Sequence, residues 1–566
     1  MPHPLRSTLL AAALFGLLAR PGLAAEPADP PSAAGAYLAG DFAISRGDMA
    51  QATDDFLAAL ASDPQNLDLT RHAFLAALMS SNPAAAQLAR ALPGDEAATL
   101  LLADDDVALA DWSGALHRFE SLPDTGVIAL MRPLLVAWAQ YGAGDTDAAL
   151  ATLQPPPGQR RIPGVYVLHA AMIADLAGRI AEADTSYRRA ASASAQPPDL
   201  REGQILASWQ MRQGQPDAAA ATLRQLGGTS DEIGLTTANL WRSAMRRPVG
   251  SAADGIAEAY LEMASAMRAQ DATDFAQILL RLALDLRPDF SAARLMLAEI
   301  DDAAGRQRRA LDELAAIPVN DPLAPMAAMR RALLRDDMGD PARAIADLRT
   351  LAAAHPHHSA PLVALGDTLR QEHHYRAAIA AYSQALTLLP GPEVVAWSIL
   401  FSRGVAYDRL GDWPHAEADL RAALALAPQR PSLLNYLGYS LADRGIDLTE
   451  ARSMIARALQ QRPHDAAILD SMGWVMLRQG QVADAIAMLL RAVEASPEDA
   501  IINGHLGDAY AAAGETLQAG YQWRRALALH PEPHDAARLE AKLRQNLPAP
   551  AAQPLAASVR AAAPVR

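Results

Sequence analysis

The sequence predicts an all-α solenoid of stacked helical hairpins. Three observations carry this reading. A pattern of small and large side chains recurs about every 34 residues over the second half of the chain. Hydrophobic side chains make up 51% of the 566 residues but aromatics only 5%, a balance led by Ala and Leu that suits closely packed helices and not sheets. Glycine marks the middle of most units and proline their ends, where a helix must turn or stop. A chain this long exceeds one ordinary core, so several domains or a repeat array are required.

The elements follow in chain order. Residues 1–25 read as a secretory leader: a weakly basic start (MPHPLR), an apolar run from Ser7 to Ala19, and small residues before a cleavage point at Ala24 or Ala25. The apolar run is too short to span a bilayer comfortably. The expectation is export, with a periplasmic mature chain. Residues 26–224 form a degenerate N-terminal array, with units at 33 (Gly40, Phe56), 96 (Ala115, Phe119), 130 (Ala149, Leu153), 164 (Ala183, Tyr187) and 200 (Ala219, Leu223), and an out-of-phase helical stretch at 67–95. Residues 225–256 break the period and are read as an irregular joint. Residues 257–533 form the regular C-terminal array. Residues 534–547 read as a capping helix with a polar outer face, and 548–566, rich in Pro and Ala, as a disordered tail.

The regular units start at 257, 291, 325, 359, 397, 431, 466 and 500, with one extra residue inside the 431 unit and an insertion, residues 393–396, before 397. In the 466 unit the pattern is Gly473, Ala485, Leu489, Ala492 and Pro497; in the 359 unit it is Gly366, Ala378, Tyr382, Ala385 and Pro390. Two small residues on facing helices let the backbones approach. The large residue is expected to fill the space toward the next unit. A lone hairpin cannot bury its apolar faces, whereas a stack can. These residue types at this period resemble the tetratricopeptide repeat (TPR). The resemblance implies a right-handed α-solenoid superhelix of helix-turn-helix units whose first helices line a concave groove.

The residues offer little for catalysis. There is no cysteine, so thiolate nucleophiles, disulfides and a lipidated N-terminal cysteine are excluded. The only lysine is Lys542, which removes a phosphate loop ending in Lys and a Schiff-base lysine from the repeat body. No GxSxG, HExxH or GxGxxG occurs. No catalytic, cofactor or metal site is therefore assigned, and the chain is expected not to be an enzyme. The histidines of HPHH (His355, His357, His358) fall in an inter-unit loop and His373 and His374 at the next turn, the two groups at opposite ends of one helix. The formal net charge of −15 gives no overall attraction for nucleic acid, and no later apolar run is suited to a membrane.

In the repeat frame, the position after the first small residue faces the groove. That position and its neighbours one turn away give Phe401, Arg409, Asn435, Tyr439, Asp443, Asp470, Trp474, Arg478 and Asp508 as candidate partner-binding residues. Aromatic area beside an amide and charges suits an extended peptide. The competing assignment for Tyr439 and Trp474 is burial against the next unit. The stretch 435–510, with its "LGYSLAD" and "LDSMGW" segments, is similar to the C-terminal repeats of a TPR subfamily of Gram-negative envelope proteins. One member type of that subfamily is a lipoprotein adaptor of a periplasmic carboxy-terminal processing protease. The resemblance implies a non-enzymatic protein-binding scaffold, with a protease adaptor as its narrower form. A scaffold for envelope biogenesis, such as polysaccharide secretion or outer-membrane assembly, is the alternative, and a hydrolase or transferase using an unrecognised site is the reading from a different class.

Overall fold

The computed structural model describes residues 32–154, 164–193, 199–389 and 396–546. The expected leader and tail lie outside the described residues, as do Pro390 and residues 393–395. Among the described residues there are 31 helices and no strand, so the fold class is all-α, a solenoid of TPR-like hairpins.

The chain divides into two compact units. One contains the residues up to Ala190 together with Val249–Ala293; the other contains Ala191–Pro248 and the residues from Arg294 onward. This differs from the boundary read at 225–256. The Ala252–Arg268 and Thr273–Leu286 helices carry the repeat spacing but pack within the first unit. Buried side chains hold them there. The Tyr260 hydroxyl donates to Asp104 at 2.9 Å across 156 residues of sequence, and a β-carbon at Gly255 would lie 2.2 Å from the Trp138 ring. Periodicity records local spacing and is blind to such partners. The supposed joint is likewise folded: helices Asp231–Gly234 and Thr237–Ser243 pack in the second unit, where Glu232 pairs with Arg330 and the Ser359 hydroxyl reaches Asp231. The out-of-phase stretch is explained by a short second helix, Ala84–Arg90, after Leu67–Met79.

In the second unit the regular hairpins are Ala360–Gln371 with Tyr375–Leu388, Ala396–Arg409 with Trp413–Leu426, Pro431–Arg444 with Leu448–Gln461, Ala466–Arg478 with Val482–Ala495, and Ala500–Ala512 with Thr516–Ala528. Pro533–Asn546 closes the series. The small residue of each first helix meets the large residue of the second. A β-carbon on Gly473 would stand 2.5 Å from Leu489 and 3.3 Å from the Ala485 carbonyl. Gly366 stands in the same way against Tyr382, and Gly507 against Trp523. Leu489 also packs on Leu506 and Ala509, so the large residue serves its own hairpin and the next one together. At the turn, Gly480 adopts φ 78°, a left-handed conformation that costs glycine nothing. His373 takes the equivalent place in its unit with φ 58°, held by a 2.7 Å hydrogen bond between its Nδ1 and the Tyr375 hydroxyl.

Candidate peptide-binding face

The first helices of the C-terminal hairpins are set by acidic caps. Asp465 accepts from the amides of Ala467 and Ile468, and Asp499 from those of Ile501 and Ile502. Each cap satisfies amides that a helix start leaves open. The caps start both helices at one phase of the repeat, so Trp474 and His505 meet across the gap between neighbouring units. Their rings stack with centroids 4.2 Å apart and planes 22° from parallel. Tyr439, two units before His505, approaches the same ring at 6.0 Å. Asp470 lies beneath, with both carboxylate oxygens 2.9 Å from Nδ1 of His505 and both side chains buried. Burial opposes a charged imidazole here, but the Asp470 charge and hydrogen bond outweigh it and hold His505 above its usual range.

Three of the residues that the repeat frame predicts, Tyr439, Asp470 and Trp474, are thus gathered around a histidine that the frame does not predict. His505 follows Gly504, one residue off the face that the repeat frame predicts. The spacing from Asp470 to His505 is 35 residues, one more than the repeat. A search for pairs at the period plus one would have found it. Trp474 is half-buried, and its Nε1 is buried without a hydrogen-bond partner. Asn435 is also half-buried, with Oδ1 buried and unpartnered.

The other predicted residues make contacts outside the stacked rings. Phe401 meets Tyr436 edge-on at 5.5 Å, and the Tyr436 hydroxyl donates to Asp408. Asp443 and Arg478 are exposed and joined by a guanidinium hydrogen bond to the Asp443 carbonyl at 2.9 Å. Asp508 is drawn into the fold, accepting from Trp523 Nε1 at 2.9 Å and from Lys542 at 2.6 and 2.7 Å. Arg409 is exposed and reaches Glu532 at 3.9 Å.

The closing helix therefore presents charge to this face, where the sequence reading expected only an outward polar surface. Lys542 holds Asp508, and Leu539 lies 3.5 Å from the β-carbon position of Gly504. Burial, followed by the charges of Asp443 and Asp470, pushes the Tyr439 hydroxyl above its usual range, with Arg538 of the closing helix opposing. The face offers ring surface, an amide and exposed charges of both signs. The Asp470–His505 pair has the form of a base and its orienting carboxylate, but no hydroxyl is hydrogen-bonded to His505 among the described residues. Among those residues no group of three or more His, Asp or Glu is placed to hold a metal ion, and no helix is long and apolar enough to cross a membrane.

Comparison with known proteins agrees with the repeat geometry. Residues 329–391, 363–431 and 401–466 match one tetratricopeptide-repeat family model, and 441–504 match a second. The chain is 44% identical over 88 residues to a TPR repeat-containing protein of Pseudomonas aeruginosa, a match covering 16% of this chain and 15% of that protein. It is 51% identical over 51 residues to a homolog of the lipoprotein NlpI from Haemophilus influenzae, covering 9% of this chain and 16% of that one. The matches thus span about a sixth of the length of these curated relatives. Among solved structures, a tetratricopeptide repeat protein from Parabacteroides merdae aligns with TM-score 0.38 and 16% identity, over 45% of this chain and 98% of that chain.

Proposed function

We propose that this chain is a non-enzymatic scaffold of the bacterial cell envelope whose C-terminal repeats hold an extended segment of a partner protein. Tetratricopeptide repeats are protein-interaction scaffolds in general, and here one observation supports a peptide ligand. Phe401, Tyr439 and Trp474 remain only partly buried after packing, and Asn435 on the same series of first helices is half-buried with a buried, unpartnered side-chain oxygen. Ring area with a half-buried amide and the exposed Asp443 and Arg478 charges matches the needs of a peptide backbone and its side chains.

The narrower reading is an adaptor that brings substrates to a periplasmic carboxy-terminal processing protease. It is supported by the resemblance over 435–510 and by a relative named as a lipoprotein homolog. An affinity pull-down from envelope extract, wild type against Asn435→Ala, tests both. Asn435 Oδ1 accepts no hydrogen bond, so its removal leaves no orphaned partner and the fold should melt unchanged. Loss of a specific partner supports the groove. Retention of every partner by Asn435→Ala and by Arg478→Glu overturns it, and identification of a protease in the eluate separates the adaptor from a biogenesis scaffold.

A further inference from the structure

A second site lies away from the aromatic face, in the second unit. The segment read as a joint, together with the Ala324–Asp337 helix and the end of the Pro341–Ala354 helix, encloses an open cavity of about 680 Å³. Its charged lining is Arg242, Arg246 and Arg331, with the His355 imidazole beside them, and no carboxylate contributes to it. In a chain of net charge −15 this is a marked local reversal.

The guanidiniums are also uncommitted. None of the three arginines forms an ion pair among the described residues. Arg242 spends only its Nε, on the Ala238 carbonyl of its own helix, and Arg331 has its Nε buried with no partner. The Arg242 charge acts directly on His355, which burial first, and then His358 and Arg242, hold below its usual range. Buried or clustered guanidinium groups normally have carboxylates or carbonyls on their donors. Apart from the single Arg242 bond to Ala238 the three have no such partners here, so the exposed Arg242 and Arg246 guanidiniums keep donor capacity for a ligand.

The rest of the wall narrows the ligand's chemistry. Val319, Pro322 and Ala354 are apolar and reach solvent, so a bare inorganic anion would leave that surface uncovered. Asn239 and Asn320 add amides that suit a peptide backbone. The acidic net charge repels a long polyanion such as nucleic acid, whereas a short anionic segment senses mainly the local patch within a Debye length of about 8 Å. We infer that this cavity binds a short acidic peptide segment, its carboxylates on Arg242, Arg246 and Arg331 and its aliphatic side chains against Val319 and Pro322. The inference does not depend on the aromatic face being a binding site.

The test uses the full chain and a fluorescent peptide of alternating Glu and Leu, read by anisotropy at low and high salt. Tight binding that weakens at least tenfold in Arg242→Gln/Arg246→Gln is expected. Both side chains are exposed, so the double variant should melt as wild type. A Gln/Leu peptide should bind at least tenfold more weakly. Comparing a free with an amidated C-terminus assigns the effect to the terminal carboxylate or to the Glu side chains, and either assignment supports a carboxylate site. Unchanged binding by Asn435→Ala would separate this cavity from the aromatic face. The inference is overturned if the double variant or the Gln/Leu peptide binds as tightly as its parent, or if inorganic phosphate at equal concentration displaces the acidic peptide.

Discussion

Trp474 lies flat on His505, ring centroids 4.2 Å apart, and this contact joins two successive hairpins. The tryptophan is therefore structural on one side of its ring whatever it meets on the other. Trp474→Ala should lower stability by about 2 kcal/mol, below the 3–5 kcal/mol typical of fully buried tryptophan because the ring is half-buried. Trp474→Phe should recover most of it through a retained stack. Urea denaturation followed by far-UV circular dichroism measures both, and equal losses for the two variants would contradict the stacking account.

The Asp470–His505 pair makes the second unit sensitive to pH. The folded pKa of His505 is raised, so its stabilising contribution is complete below the unfolded value of about 6.5 and is lost as pH rises through the folded value. Stability should decline above pH 6.5, and Asp470→Asn should remove this decline. The ring is also under the charges of Asp508 and Arg538. Imidazole titration by NMR, beside melting curves from pH 5 to 9, checks the sign; a midpoint below 6.5 would refute it.

Gly473 admits no side chain without movement of Leu489 or the facing backbone. Gly473→Ala should cost about 1–3 kcal/mol through overpacking, despite alanine's better helix propensity. Gly473→Ala combined with Leu489→Ala should recover part of the loss if the 2.5 Å approach is the cause. Denaturant midpoints of the two single variants and the double variant decide this.

Lys542 is the only lysine, so amine chemistry reports on its ion pair with Asp508. Acylation of Lys542 should be slow in the native chain and several-fold faster in Asp508→Ala. Peptide mass spectrometry over time gives both rates. Hydrogen exchange across Pro533–Asn546 should accelerate in the same variant.

In the first unit, Tyr260→Phe would leave Asp104 buried without its donor. A loss of about 1–3 kcal/mol is expected for that unit alone. Hydrogen exchange resolved by segment should show faster exchange in Ala252–Arg268 and Glu96–Ala108, with the hairpins from Ala360 onward unchanged.

The sequence by itself determined the all-α class, the hairpins and their internal contacts. Gly473 facing Ala485 and Gly480 at the turn are legible because these positions lie within one unit and local steric rules set their spacing, whereas the closure of Leu489 on Gly473 within its own hairpin was not. It also determined where aromatic and charged residues recur on the first helices. Only the tertiary structure decided which of those residues are available. Asp470 is buried by His505, Asp508 is taken by Trp523 and Lys542, and Arg409 faces Glu532, while Asp443 and Arg478 stay exposed. Tertiary packing alone also placed Ala252–Arg268 with the first unit through Tyr260 and Asp104, and assembled the arginine cavity from segments about 90 residues apart. The physical reason is common to these cases. Periodic spacing reports contacts within a hairpin and between neighbours, whereas burial, charge pairing and cavity walls depend on which distant residues the stacked helices bring together.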